Sequence, residues 1–164
     1  MAPDAYRKTD FSLPLDDRIR AYLGSVTSDT DYSGFDTHML AAVSYIGADV
    51  ERRRTTFHFE VADCMCNKDG VLHGGAASTL FDNLSSTSLF TIGKPGYWES
   101  LGVSRSLAVW FHRPLPAGLS VKLTCTVIEA GKKMATVRAV METMDGIVCA
   151  SCVHEKYLPL RSRL

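Results

Sequence analysis

Residues 67–75 read Asn67-Lys68-Asp69-Gly70-Val71-Leu72-His73-Gly74-Gly75, and after six further residues come Asp82-Asn83. From His73 to Phe90 the chain has no proline, and it has glycine only at the start. Ala76, Ala77, Leu80, Phe81, Leu84 and Ser88 recur there at helical spacing, which predicts one long, largely buried helix. Small Ala76 and Ala77 would let that helix approach a sheet closely. Outside the segment the period changes from 3.6 to two. Phe57, Phe59 and Val61 alternate with Thr56, His58 and Glu60. Leu40 to Tyr45 reads as a strand before them. Beyond the break at Gly93-Lys94-Pro95-Gly96 lie four more strand-like runs: Val103 to Phe111, Leu119 to Glu129, Met134 to Met144 and Ile147 to His154. Ala130-Gly131-Lys132 and Asp145-Gly146 read as hairpin turns. Two strands, one helix and four antiparallel strands give an α+β fold, in which a single helix covers one face of a curved sheet.

At 164 residues the chain fits one domain. Residues 1–35 read as an N-terminal extension with a short amphipathic helix after Pro14, residues 36–160 as the folded domain, and 161–164 as a tail. Eighteen basic residues balance eighteen acidic ones, which excludes a nucleic-acid footprint carried by total charge. No apolar run is long enough to span a membrane, and the start lacks the apolar core of a signal peptide. Cys64, Cys66, Cys125, Cys149 and Cys152 are expected as free thiols in a reducing compartment. A zinc site built from Cys64, Cys66, Cys149 and Cys152 is disfavoured. Both pairs are expected in strands, where residues 149 and 152 would point to opposite faces. No metal is expected, and no His/Cys signature marks a catalytic thiol.

His73-Gly74-Gly75 lies where a loop becomes a helix. The first N–H groups of a helix lack internal partners and carry its positive dipole end, and glycine lets a ligand come close. Such an end can hold a developing oxyanion. Asp82 follows eight residues later, about 12 Å further along the axis at ~1.5 Å per residue. One carbonyl carbon cannot lie within reach of both. If both act on it, they come from two chains, and the protein is at least a dimer with two sites at the interface. Each residue also has a plainer reading. His73 can cap the helix. Asp82 can pair with the hydroxyl of Ser78, Ser85 or Ser86. Lys132 and Lys133 can be a solvated turn.

The stretch Asn67 to Gly75 with its spaced Asp82 resembles the motif of hotdog-fold acyl-CoA thioesterases, in particular the phenylacetyl-CoA thioesterase type and its eukaryotic relatives. The resemblance runs over roughly Leu40 to Tyr157. It implies that Asp82 activates water, or attacks directly, and that the Gly74 N–H polarises the thioester carbonyl. His73 and Asn67 would orient the thioester and its hydrogen bonds. Ser104 would help hold the attacking water near Asp82 of the facing chain. Phe111, His112, Arg113 and Pro114, with the turn Gly131, Lys132 and Lys133, would line the coenzyme A groove, and the cations would meet its phosphates. The resemblance implies no cofactor beyond the coenzyme A of the substrate, and a dimer of dimers as the assembly. The loop from Thr91 to Ser100 is longer than in compact members. It carries Tyr97 and Trp98, which suggests a lid or an altered acyl pocket. Ser106 stands where many relatives have an acid. His38, His58, His112 and His154 receive no catalytic role. Carrier-protein or polyketide thioesters, and a non-catalytic acyl-CoA-binding module, are the alternative functions. The ending Ser162-Arg163-Leu164 resembles the Ser-Lys-Leu peroxisomal address, so a peroxisomal location is expected, otherwise a cytoplasmic one.

Overall fold

The structure, a computed structural model, describes residues 9–159. Six strands form one antiparallel sheet: β1 (Val43–Asp49), β2 (Arg54–Glu60), β3 (Val103–Phe111), β4 (Ser120–Ala130), β5 (Met134–Thr143) and β6 (Val148–Tyr157). Their order across the sheet is β1-β2-β4-β5-β6-β3. Helix α1 is Leu15–Thr27, α2 is Thr37–Ala41 and α3 is Gly74–Ser86. The alternation that predicted the strands becomes the core. Val121, Leu123, Cys125 and Val127 of β4 face inward, as do Ala135, Val137, Ala139 and Met141 of β5. Leu80, Phe81 and Leu84 of α3 bury themselves in the same cluster. This is the hotdog arrangement: one central helix wrapped by a curved sheet.

The structure corrects several sequence-based expectations. Residues 37–41 are helical, and the first strand begins only at Val43. Leu40 enters the core from that short helix. The central helix stops at Ser86 and tightens into a 3₁₀ turn over Thr87–Thr91. The cause is a run of hydroxyl side chains that donate three residues back. Thr87 Oγ1 reaches Leu84 O at 2.6 Å, Ser88 Oγ reaches Ser85 O at 2.7 Å and Thr91 Oγ1 reaches Ser88 O at 2.6 Å. Cys64 lies in a 3₁₀ turn, not a strand, and Cys66 follows that turn. Cys149 and Cys152 are both buried, because a bulge opposite Met141 and Glu142 resets the alternation. All five cysteines are free thiols.

Residues 15–27, expected as an appendage, share the core of the domain. Ile19, Tyr22 and Val26 are buried in it, and the Tyr22 ring meets Phe90 edge-on at 6.1 Å. The Tyr45 hydroxyl donates to Asp16 Oδ1 at 2.5 Å, and Arg20 lies 5.1 Å above the Tyr45 ring, which pins α1 to β1. The loop with Tyr97 and Trp98 is a strap and not a lid. Trp98 is 2% exposed and its indole N–H donates to Gly131 O at 2.9 Å, while the Tyr97 hydroxyl donates to Ala130 O at 3.0 Å. Both bonds hold down the β4–β5 turn. Among the described residues, no helix is long and apolar enough to cross a membrane.

Candidate active site

The start of α3 is built by its own sequence. His73 is the N-cap, and its Nδ1 accepts from Gly75 N at 2.9 Å. A Cβ at Gly75 would sit 3.0 Å from that nitrogen, so glycine leaves room for the cap. His73 therefore has the capping role that its plainer reading offered. Asn67 Oδ1 accepts from Asp69 N at 2.9 Å and Val71 N at 3.3 Å, which fixes the preceding turn and leaves the Nδ2 amide as the end able to donate to a ligand. Gly74 is the first helical residue, and its backbone lines a cavity of about 420 Å³ together with Phe111, His112, Arg113 and Pro114. Five of the sequence-derived candidates thus meet at one place. The Arg113 guanidinium donates to Val148 O at 2.8 Å, and His112 Nε2 lies 2.9 Å from Ser151 Oγ. Gly131, Lys132 and Lys133 are elsewhere, beside Leu158, whose N–H donates to Lys133 O at 2.8 Å. They belong to the end of the sheet where β3 begins.

Asp82 occupies that other end. Its side chain is 46% exposed, and its Oδ1 accepts from Ser104 Oγ at 2.5 Å. Ser104 thus sits on the Asp82 of its own chain rather than on that of a facing one. It is also the hydroxyl partner, in place of Ser78, Ser85 or Ser86. Two backbone features aim it. Gly102 has φ +62°, and a Cβ there would lie 2.6 Å from Tyr157 O. A bulge between Ser104 and Ser106 then turns the strand.

Behind Ser104 stands a pair that the sequence reading passed over. His154 is 0% exposed and Lys156 is 4% exposed, both on the inward face of β6. His154 Nε2 lies 2.9 Å from Ser104 Oγ and 3.3 Å from Asp82 Oδ1, and Nδ1 lies 2.7 Å from Ser85 Oγ. Lys156 Nζ donates to Ser86 Oγ at 2.9 Å and to Ser104 Oγ at 3.4 Å, while Ser86 Oγ donates to Asp82 O at 2.7 Å. Burial, reinforced by the Lys156 charge, lowers the His154 pKa to about 4 against the opposing pull of Asp82. Burial likewise lowers Lys156 to about 8, again opposed by Asp82. Because Ser104 spends its hydrogen on Asp82 and His154 is neutral, the chain takes one direction. Ser85 donates to Nδ1, Nε2–H donates to Ser104, and Ser104 donates to Asp82. Every hydrogen points toward the carboxylate, which suits an ionised base. The available signal was alternation: Cys152, His154 and Lys156 continue the inward face of β6, where a histidine and a lysine need a polar partner.

The buried thiols play no part in this network. Burial pushes Cys152 up to about 12 and raises Cys125 and Cys149, which keeps them protonated. Among the described residues, no group of three or more His, Cys, Asp or Glu could hold a metal ion.

The family model described as "Thioesterase superfamily" matches residues 69–150. Acyl-coenzyme A thioesterase 13 of Mus musculus is 30% identical over 104 residues, which span 62% of this chain and 68% of the mouse protein. Zebrafish thioesterase superfamily member 2 superposes with a TM-score of 0.74 at 22% identity, covering 90% of this chain and 99% of that one. The E. coli PaaI protein from the phenylacetic acid degradation operon superposes with a TM-score of 0.61 at 19% identity, covering 70% and 82%. These two likenesses speak to the fold.

Proposed function

This chain belongs to the thioesterase superfamily and is a thioester hydrolase, and from that premise we propose that it hydrolyses acyl-CoA at two sites, each shared between the protomers of a dimer. Asp82 takes a proton from water, which attacks the thioester carbonyl carbon. The N–H of Gly74 in the other protomer holds the oxyanion of the tetrahedral intermediate. Collapse breaks the carbon–sulfur bond, and the proton leaves with the coenzyme A thiol. The mouse relative's name supports acyl-CoA as the substrate class.

The observation that carries this reading is the separation of two half-sites along one chain. Gly74, Phe111 and Arg113 stand at one end of β3, and Asp82 with Ser104 at the other. Along α3 the Gly74 N–H and the Asp82 carboxylate are eight residues, about 12 Å, apart at ~1.5 Å per residue, too far for one carbonyl to meet both. Among the described residues β3 is an edge strand paired only with β6, and it exposes Val103, Trp110 and Phe111. Antiparallel pairing of β3 with its copy about a two-fold axis sets the Phe111 end of each protomer against the Ser104 end of the other. The same pairing brings Arg113 of one chain toward Lys132 and Lys133 of its partner, as a phosphate site for coenzyme A. Two such dimers would then assemble as a tetramer.

Mixed dimers test the reading. Gly74→Pro removes the N–H at a first-turn position where proline fits, and His73, at ψ 136°, already has the backbone that a following proline needs. Gly74→Pro and Asp82→Asn alone should each lose thiol release from acyl-CoA. Mixed by denaturation and refolding, they should regain about a quarter of parental activity, because half the dimers are mixed and each has one intact site. No recovery on mixing would defeat the shared site. We further propose that Ser162-Arg163-Leu164, which lies outside the described residues, is a peroxisomal address. A fluorescent fusion keeping these residues at its end should be punctate and turn diffuse on their deletion. A diffuse intact fusion would overturn it.

A further inference from the structure

Asp82 closes one end of a second cavity, of about 420 Å³, whose walls come partly from residues ahead of the family-matched span. Tyr32 and Phe35 face Leu107 of β3 across it. Phe35 is 79% exposed, an open ring beside the proposed hydrolytic carboxylate. The Tyr32 ring is fixed, because its hydroxyl donates to Asp36 Oδ1 at 2.8 Å and Asp36 is itself buried. Gly34 makes room for that ring. A Cβ there would lie 1.9 Å from the Tyr32 hydroxyl oxygen.

We propose that residues 32–36 form the outer wall of the acyl groove and set which acyl groups reach Asp82, an inference that rests on the thioesterase reading. The groove's occupant is an uncharged acyl group with an apolar body longer than acetyl. Two rings and Leu107 give that body its contact surface. The polar side selects by charge. Ser78 Oγ donates to Gly74 O at 2.8 Å and Thr79 Oγ1 donates to Gly75 O at 3.0 Å, so these hydroxyls offer the groove acceptor lone pairs. Asp36 and Asp82 add carboxylates, and among the described residues no lysine, arginine or histidine lines the groove. An acyl group ending in its own carboxylate meets acceptors and like charge, and is rejected.

The test compares acetyl-CoA, octanoyl-CoA and suberoyl-CoA, the last being octanoyl with a terminal carboxylate. Phe35→Ala should lower the octanoyl-to-acetyl ratio of kcat/KM about tenfold. Thr79→Lys, which places a cation in the groove, should raise the suberoyl-to-octanoyl ratio at least about tenfold. Thermal midpoints within a few degrees of the parent would show that both variants fold. Unchanged ratios in both folded variants, with the parent hydrolysing octanoyl-CoA, overturn the groove and leave the thioesterase reading standing. A parent that hydrolyses none of the three overturns that reading and this inference together.

Discussion

Ser104 and His154 share a hydrogen bond that no strand ladder requires: His154 Nε2 lies 2.9 Å from Ser104 Oγ, and Ser104 hands its own hydrogen to Asp82. The bond gives a strand-edge serine a fixed rotor. It also ties the carboxylate on α3 to β6, the last strand in chain order.

Asp82→Asn should reduce turnover by at least about 10², the worth of a positioned general base, with circular dichroism and melting unchanged. Full turnover in a folded variant would remove Asp82 from the chemistry.

His154 gives stability an acid limb. Its folded pKa, about 4, lies below the ordinary 6.5, so the unfolded chain binds the extra proton between these values. Its contribution is therefore intact above about pH 6.5 and is lost progressively as pH falls toward 4. Denaturant midpoints at pH 7 and pH 4.5 should differ in the parent, and His154→Gln should narrow the gap. An identical gap in both proteins would mean that other groups carry the acid sensitivity.

Lys156→Met tests what the buried cation does. Burial lowers the Lys156 pKa to about 8, so its charge opposes folding at pH 7 and an apolar side chain of similar volume removes that cost. The melting temperature should hold or rise at pH 7, while kcat falls about tenfold as Ser86 and Ser104 lose their donor. A variant that loses stability and keeps its turnover would make Lys156 structural.

Trp98→Ala should cost about 3–5 kcal/mol, the usual penalty for truncating a buried large aromatic. Its indole also ties the strap to Gly131. Chemical denaturation would read the loss, and a change under about 1 kcal/mol would show that the strap is not integral to the core.

Trp110→Asp puts charge on the exposed edge of β3. Sedimentation should show a lighter species, and thiol release should fall with it. An unchanged mass would place the protomer contact elsewhere.

The sheet was legible in the sequence because its strands alternate almost without interruption, as in Ser120 to Val127. The motif end of α3 was legible because Asn67 to Gly75 with Asp82 at its fixed spacing is a specific pattern, where a bare His-Gly-Gly would be weak. Failures came where tertiary packing overrode local pattern. Leu40 looked like strand and was the plug of a five-residue helix. Tyr97 and Trp98 looked like a lid because aromatics in a long loop give no hint of which carbonyls they will find. His154 and Lys156 were passed over because their partners are 69 to 70 residues away in sequence, at Ser85 and Ser86. The residues of β3 gave its extended shape but not its place at the sheet edge, which depends on the order in which the strands pair.

The α1 helix, packed into the common core, separates two notions of a domain. The span matched by the family model runs from 69 to 150, whereas the span that folds reaches back to Ile19 and forward to Lys156. The flanks fill the same interior, with Ile19, Tyr22 and Val26 at one side and Cys152 at the other. A chain trimmed to the matched residues would forfeit β1, β2 and most of β6, and with that last strand the buried cation and its neighbouring imidazole.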